Sequence, residues 1–320
     1  MTTIISAYQV SDPNSTPPID LHGDTPALAI ATTTIAHMIR EHPDEIFHYS
    51  SAQGLMGIID TSSLWATDTR FLNDKTELVH GLGICAEELA DRRLTGLFGD
   101  ICHGIATKLD TRGYLFFAAS LCEADDLIPQ WRGYGANGSG YAIGLDTTQL
   151  LRMHKHFSVL RVLYTDEHKR LAAQRMIDSI GVAWAESEGT RQDRRSEVAT
   201  AIATAMFTGL TLLAASFKPE VFAYEREWRL VQILHRDRVT TGEISFRDSQ
   251  GLLVPYVMFP LRDPACEVDA LPLKSIRTGP ALQNEAKEDA VRLFLASRGL
   301  SALVTSSNAP LRFESGARVT

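Results

Sequence analysis

Two periods of apolar residues run through the chain, a helical one near 3.6 and a strand one of 2, and their boundaries divide it into elements. Residues 1–24 are polar, carry Pro13, Pro17 and Pro18, and read as a flexible N-terminal arm. Pro26 opens PALAIATTTIAHMIREH, whose spacing predicts an N-terminal helix over 25–42. EIFHYSS follows as a short strand running into SAQGLMGIID, a helix that Ser50 or Ser51 can cap. SSLWATDTRFLND reads as short extended pieces, and Asn73 or Asp74 caps a glycine-interrupted helical region reaching to about residue 109. YLFFAASLC (114–122), YAIGLD and FSVLRVLYTD are strand candidates. Residues 166–217 read as a helical insertion whose charged centre, ESEGTRQDRRSE, is a solvated face or loop. Strands return in VFAYEREWRLVQIL, GEISFRD, LLVPYVMF and LKSIRTGP, before an amphipathic helix, LQNEAKEDAVRLFLASRG, and a last strand, SALVTSS. This mixture lacks regular βαβ alternation, so the class is α+β, with a mixed or split central sheet and flanking helices.

Composition narrows the partners more than the fold. Of 320 residues, 44% are hydrophobic and 22% charged, as in a folded, water-soluble chain. With 31 basic against 39 acidic residues the formal charge is −8, which disfavours general duplex or acidic-membrane binding. Cys85, Cys102, Cys122 and Cys266 show no C-x-x-C spacing, so neither a disulfide framework nor a zinc ribbon is expected. The start of the chain lacks a secretory pattern and no 18 apolar residues run uninterrupted, so the expectation is a cytoplasmic protein with no membrane partner.

The most informative stretch is VFAYEREWRLVQI. Read as one strand, its alternation puts Val221, Ala223, Glu225, Glu227, Arg229, Val231 and Ile233 on one face, with Phe222, Tyr224, Arg226, Trp228 and Leu230 on the other. Two carboxylates and a guanidinium among apolar neighbours are costly unless paired or lining a polar cavity. They therefore mark either a site or a buried Glu–Arg pair that fixes register. In EIFHYSS, His48 and Ser50 share a face at a strand-to-helix junction, where free N–H groups can hold an anionic or hydroxylated ligand. The plainer reading of His48 is a satisfied structural histidine. Trp131 reads first as a core or edge aromatic, and His80 near Cys85 is too isolated for a metal site.

Gly133-Tyr134-Gly135-Ala136-Asn137-Gly138 satisfies G-x-G-x-x-G, yet it precedes a strand instead of following one and opening a helix. Its glycines are expected to supply positive φ in a loop. P-loop, zincin, nucleophile-elbow and EF-hand motifs do not occur.

Taken in order, HYSSAQGLMGIIDTSSLWATDTRFLNDKTE, WRGYGANGSGYAIGLD, YEREWRLV, IRTGP and SSNAPLR resemble the bacterial family of domain of unknown function 2971, over roughly residues 46 to 313. More weakly, His48-Tyr49-Ser50 followed by a helix and Ser63-Leu64-Trp65-Ala66 resembles the opening of ADP-ribosyltransferase domains, and Glu225-Arg226-Glu227 is similar to their E-x-E signature. That resemblance implies an ADP-ribosyltransferase-like fold and NAD as substrate. Glu227 would be the charge-stabilising catalytic carboxylate and Glu225 would position the acceptor. His48 and Ser50 would grip NAD, Tyr49 or Trp65 would stack on nicotinamide, and Arg229 would orient Glu227 or hold a phosphate. The chemistry is coherent, because a fixed carboxylate can stabilise positive charge developing on the ribose as nicotinamide leaves. The middle triad residue and the Ser-Thr-Ser strand of that superfamily are not found. The expected function is therefore NAD-dependent ADP-ribosyl transfer by a toxin or phage-defence effector, onto a protein, a small molecule or a locally held single strand. Two alternatives stand beside it. One is a nuclease or hydrolase holding a divalent metal through Asp68, Asp74 and Glu227. The other is a sensor or interaction module whose polar pocket binds a nucleotide or peptide without turnover. His48 and Glu227 lie 179 positions apart in sequence, so a shared site requires one domain over 43–320.

Overall fold

A computed structural model of the chain describes residues 34–35, 41–72, 77–92, 94–107, 113–188, 195–249, 251–281 and 285–310. The N-terminal arm lies outside them, as do Asn73 and Asp74 and all but Thr34, Ile35, Glu41 and His42 of the expected first helix; Thr34 and Ile35 are helical. The described elements are β1 (Glu45–Ser50), α1 (Ala52–Thr61), β2 (Ser63–Asp68), α2 (Glu77–Asp91), α3 (Gly96–Thr107), β3 (Tyr114–Cys122), α4 (Ile128–Gly133), β4 (Tyr141–Asp146) and α5 (Thr147–Arg152). They continue with β5 (Ser158–Arg161), α6 (Asp166–Glu188), α7 (Arg195–Ala214), β6 (Glu227–His235), β7 (Ser245–Ser249), β8 (Leu252–Pro260), β9 (Leu273–Thr278), α8 (Glu285–Ala296) and β10 (Leu303–Ser306).

The ten strands form one mixed sheet with helices on its faces, in the order β10-β9-β4-β1-β3-β2-β8-β7, while β6 pairs with β3 and β5 pairs with β6. Only β9 and β10 run parallel. β3 is the branching strand. One of its edges is covered along its full length by β6, from Tyr114↔His235 to Cys122↔Glu227. The other edge is shared, β2 taking Phe117 and Ala118 and β1 reaching only Cys122.

Alternation along β3 and β6 sorts the core into two layers. Phe117, Leu121, Trp228 and Leu230 point to one side, packing with Ile46, Leu64 and Phe259, with Leu55 and Ile58 of α1, and with Val291 and Leu295 of α8. Ala118, Val231 and Ile233 point to the other, against a helical layer containing Leu82, Cys85, Met176, Ile180, Met206 and Leu210. Each helix of these layers spaces its apolar residues three or four apart, as a buried stripe requires. Ser51, not Ser50, caps α1, its hydroxyl accepting from the Gly54 N–H at 3.1 Å. Glu197–Ala214 of α7 is long and apolar enough to cross a membrane, yet half of it is buried and α7 packs against α2, α3 and α6. It serves as a core helix of a globular fold.

Three sequence expectations are corrected. The strand expected over VFAYEREWRLVQIL begins only at Glu227, because Glu220–Glu225 winds into a 3-10 helix and Arg226 takes a left-handed conformation, φ 44° and ψ 50°. Val221 and Tyr224 are accordingly exposed instead of lying in alternate faces. The apolar run FSVLRVLYTD gives a strand of four residues, since after Val162, whose N–H still bonds the Glu227 carbonyl, the chain leaves β6 and Leu163 bridges Phe217 instead. The long helical region breaks into α2 and α3, with Gly96 at φ +69° starting the second.

α2 and α7 touch at Gly81, where a Cβ would lie 2.6 Å from the carbonyl oxygen of Ala214. Gly81→Val is expected to destabilise the protein by about 1–3 kcal/mol through overpacking, read as a lower urea midpoint with unchanged slope.

Candidate functional site

The charged trio read from the sequence resolves into a five-residue cluster beneath the helical layer. Arg226, in its left-handed turn, brings Glu225 and Glu227 onto the same ammonium: Lys218 Nζ lies 2.6 Å from Glu225 Oε2 and 2.9 Å from Glu227 Oε2. Arg229 donates from Nε to Glu227 Oε1 at 2.8 Å and from Nη2 to Glu227 Oε2 at 3.0 Å. The same Nη2 reaches Glu77 Oε2 of α2 at 2.7 Å, and Nη1 donates to the Ala215 carbonyl at 2.9 Å. The side chains of all five are 5–12% exposed. Three carboxylates thus face two cations, and none of the cationic groups is left over.

Burial alone would raise the Glu227 carboxyl, but Arg229, then Lys218 and the Ser120 hydroxyl, hold it down to about 2. Burial likewise opposes charge on Arg229 and Lys218, and the surrounding carboxylates outweigh it, raising both above their ordinary values. Glu227 is therefore ionised and nearly saturated, its acceptor positions taken by Lys218, both Arg229 nitrogens and Ser120.

A cleft of about 400 Å3 opens beside Glu227, within the size range of small-ligand pockets. Tyr164 lines it, its hydroxyl accepting from the Glu227 N–H at 2.8 Å. Glu123 also lines it, accepting from Trp228 Nε1 at 2.9 Å and lying 3.2 Å from Arg161. Arg161, His168 and Arg226 stand exposed around the opening.

The remaining sequence-selected residues lie elsewhere and do not line this cleft. His48 occupies the fork where β1 and β2 part along β3, and its Nδ1 bonds the Ser120 carbonyl at 3.0 Å. Burial lowers its pKa, so the ring is neutral and donates from Nδ1. His48 and Glu227 thus meet the same residue, one at its carbonyl and one at its hydroxyl. Tyr49 is buried edge-on to Trp131, with ring centroids 4.8 Å apart, and its hydroxyl bridges Ala124 O and Leu127 N. Ser50 packs its hydroxyl over Gly54. Trp65 is 37% exposed and stacks on Tyr256, with ring centroids 4.8 Å apart. Asp68 caps the turn after β2 and grips Arg70. Asp74 lies outside the described residues, and Asp68 and Glu227 join no metal-ligating group among those described.

The glycine-rich loop is a turn into β4, as its context suggests, but of its motif glycines only Gly138 has positive φ, Ala136 and Asn137 supplying the others. Lys287 closes it from α8, its Nζ 2.9 Å from the Ser139 carbonyl and 3.3 Å from that of Gly279. Glu77, Lys218, Ser120 and Tyr164 were not singled out by sequence. Only Lys218 left a signal, as a lone cation directly after the apolar run LLAASF.

Residues 130–230, about a third of the chain, match the model of a family described as a protein of unknown function, DUF2971. That span carries the Trp131 loop, β4 and the start of β6; HYSS, IRTGP and SSNAPLR fall outside it. No curated protein and no solved structure matches the chain.

Removing one member of the cluster strands buried charge. Glu227→Gln is expected to cost about 3–5 kcal/mol, measured by denaturant unfolding. The Glu227 carboxyl falls from 4.5 when unfolded to about 2 when folded, so its stabilisation is whole above roughly pH 5 and is lost as pH falls through 2. Acid unfolding of the wild type should show a steep loss over that window, and Glu227→Gln a shallower one.

Proposed function

We propose that this member of the DUF2971 family binds a nucleotide in the cleft at the start of β6, and that NAD is the nucleotide it takes. The observation that carries the reading is the cleft's chemistry: two guanidinium groups, Arg161 and Arg226, and the His168 imidazole surround an opening whose lining includes Tyr164, Glu123 and Glu227. Guanidinium groups suit phosphate oxygens, an aromatic wall suits a base, and carboxylates suit ribose hydroxyls. Arg161 is already paired with Glu123, whereas Arg226 is exposed and has no acidic partner among the described residues. A non-glycine residue held at φ 44° costs about 1 kcal/mol or more, and such strain collects at ligand clamps.

Turnover, as NAD-dependent ADP-ribosyl transfer or NAD hydrolysis, is the second reading, favoured by Glu227 forming part of the cleft wall. For its carboxylate to meet a ribose hydroxyl, one acceptor position has to be released. Lys218 is the group that can yield, since it keeps Glu225 at 2.6 Å. Because the resting carboxylate is saturated, binding without turnover ranks first. A cytoplasmic location would supply NAD. A metal-dependent nuclease gains no support, with Asp68 committed to Arg70 and Glu227 to Lys218 and Arg229.

Titration calorimetry with NAD and ADP-ribose tests the binding. Wild type should bind, and Arg226→Ala, an exposed position, should weaken binding by about tenfold or more, the loss of a charge-assisted contact. Equal affinities, or no binding by either, would remove the cleft from consideration. Nicotinamide release by wild type would establish turnover, and release that persists in a folded Glu227→Gln protein would exclude Glu227 from it.

A further inference from the structure

Remote from the cleft cluster, at the rim of the sheet's other core layer, three side chains of metal-ligating type converge from two segments 107 positions apart. His156 follows α5, and Asp263 and Cys266 belong to the turn after β8. His156 Nε2 lies 2.8 Å from Asp263 Oδ2, and the Cys266 sulfur lies 3.6 Å from that same oxygen. All three ligand atoms fall within 4.8 Å of one another. Bonds of about 2.0–2.3 Å to a tetrahedral zinc ion set its ligand atoms roughly 3.3–3.7 Å apart, so small side-chain rotations suffice to admit the ion.

The turn is built before any ion arrives. Asp263 and Val268 bridge one another, the Cys266 N–H bonds the Asp263 carbonyl, and Asp263 Oδ1 accepts from the Ala265 N–H at 2.9 Å. The last bond fixes the carboxyl and leaves Oδ2 facing the imidazole and the thiol. His156 and Asp263 are partly solvent-exposed, at 32% and 25%, which provides an entry path and a water for the fourth position. Lys155 Nζ, bonded to the Ala265 carbonyl at 2.9 Å, lies on the same turn. Arg152 and Glu267 pair at 3.9 Å beside it.

We propose that His156, Asp263 and Cys266 form a binding site for a thiophilic divalent cation of the zinc class. Entry of the ion displaces the Cys266 thiol proton to solvent, giving a metal–thiolate bond. Nε2 of His156 contributes its lone pair, with the ring proton on Nδ1, and Asp263 binds through Oδ2. The bound ion ties the turn after β8 to the α5–β5 connection. The absence of C-x-x-C spacing does not bear on such a site, because it uses a single cysteine and is assembled across the fold.

Co2+ is the probe, added to the full-length protein after chelator treatment. One equivalent is expected to bind with a thiolate-to-cobalt charge-transfer band and the intense visible absorption of a tetrahedral centre, and Zn2+ should abolish both by displacement. Cys266→Ser should remove the charge-transfer band and weaken affinity by more than about tenfold, since even outer-shell changes cost ~10–100-fold. His156→Ala should weaken binding similarly while keeping the band, and Glu267→Gln should change neither. Thermal melts of the metal-free variants establish that each is folded. Absence of saturable Co2+ binding overturns the site. So does a charge-transfer band that survives in Cys266→Ser, which would place the thiolate among Cys85, Cys102 and Cys122.

Discussion

Two buried cations, Lys218 and Arg229, determine how the centre of this molecule is put together. Neither is tolerable alone in an apolar interior, and together they are neutralised by carboxylates from three places: α2 through Glu77, the 3-10 turn through Glu225, and β6 through Glu227. The helical layer is thereby registered against the sheet at one point. The cluster contributes specificity more than net stability, because desolvating five charged groups offsets most of their mutual attraction. Arg226 takes its left-handed conformation between the two glutamates that share the Lys218 ammonium.

The fork along β3 is the second organising feature, and it is linked to the first through Ser120. Where β1 and β2 part, the Ser120 carbonyl lies without strand pairing on that side and His48 supplies the bond, while the Ser120 hydroxyl supports Glu227. A buried carbonyl left unpaired is costly, so a neutral imidazole at this junction is a structural requirement of the split sheet. Tyr49, one residue on, performs a similar task for the loop after β3.

Much of the architecture was legible because local pattern and tertiary environment agree. β1, β2, β3, β4, β8 and β9, the helices α1 and α8, and the sorting of Trp228, Leu230, Val231 and Ile233 between faces all follow from periodicity. The start of β6 was not legible, because a left-handed arginine has no compositional mark of the kind glycine or asparagine gives. Of the site, Glu225, Glu227 and Arg229 were found through the anomaly of charge among apolar neighbours. Glu77 and Lys218 were not, since ion pairing across 152 and 9 positions depends on folding that spacing does not encode. His48 and Ser50 were correctly placed at a strand-to-helix junction, but the partners of such residues, here a carbonyl and a glycine, leave no trace in sequence.

Strand order also bears on how the chain is made. β1 is the first strand of the described structure to be synthesised, yet it lies in the interior of the sheet, between β4 and β3. Its β3 edge stays unpaired until Cys122 has left the ribosome and its β4 edge until Asp146 has done so, while β3 stays open on its long edge until His235 has emerged. Until β6 is made, then, the nascent chain presents a hydrophobic strand with a bare edge, the condition under which sheets pair with the wrong neighbour. A topology that stores its earliest strand at the centre makes its own folding depend on late-arriving sequence, and places the greatest demand for chaperone protection on the stages of translation before β6 is made.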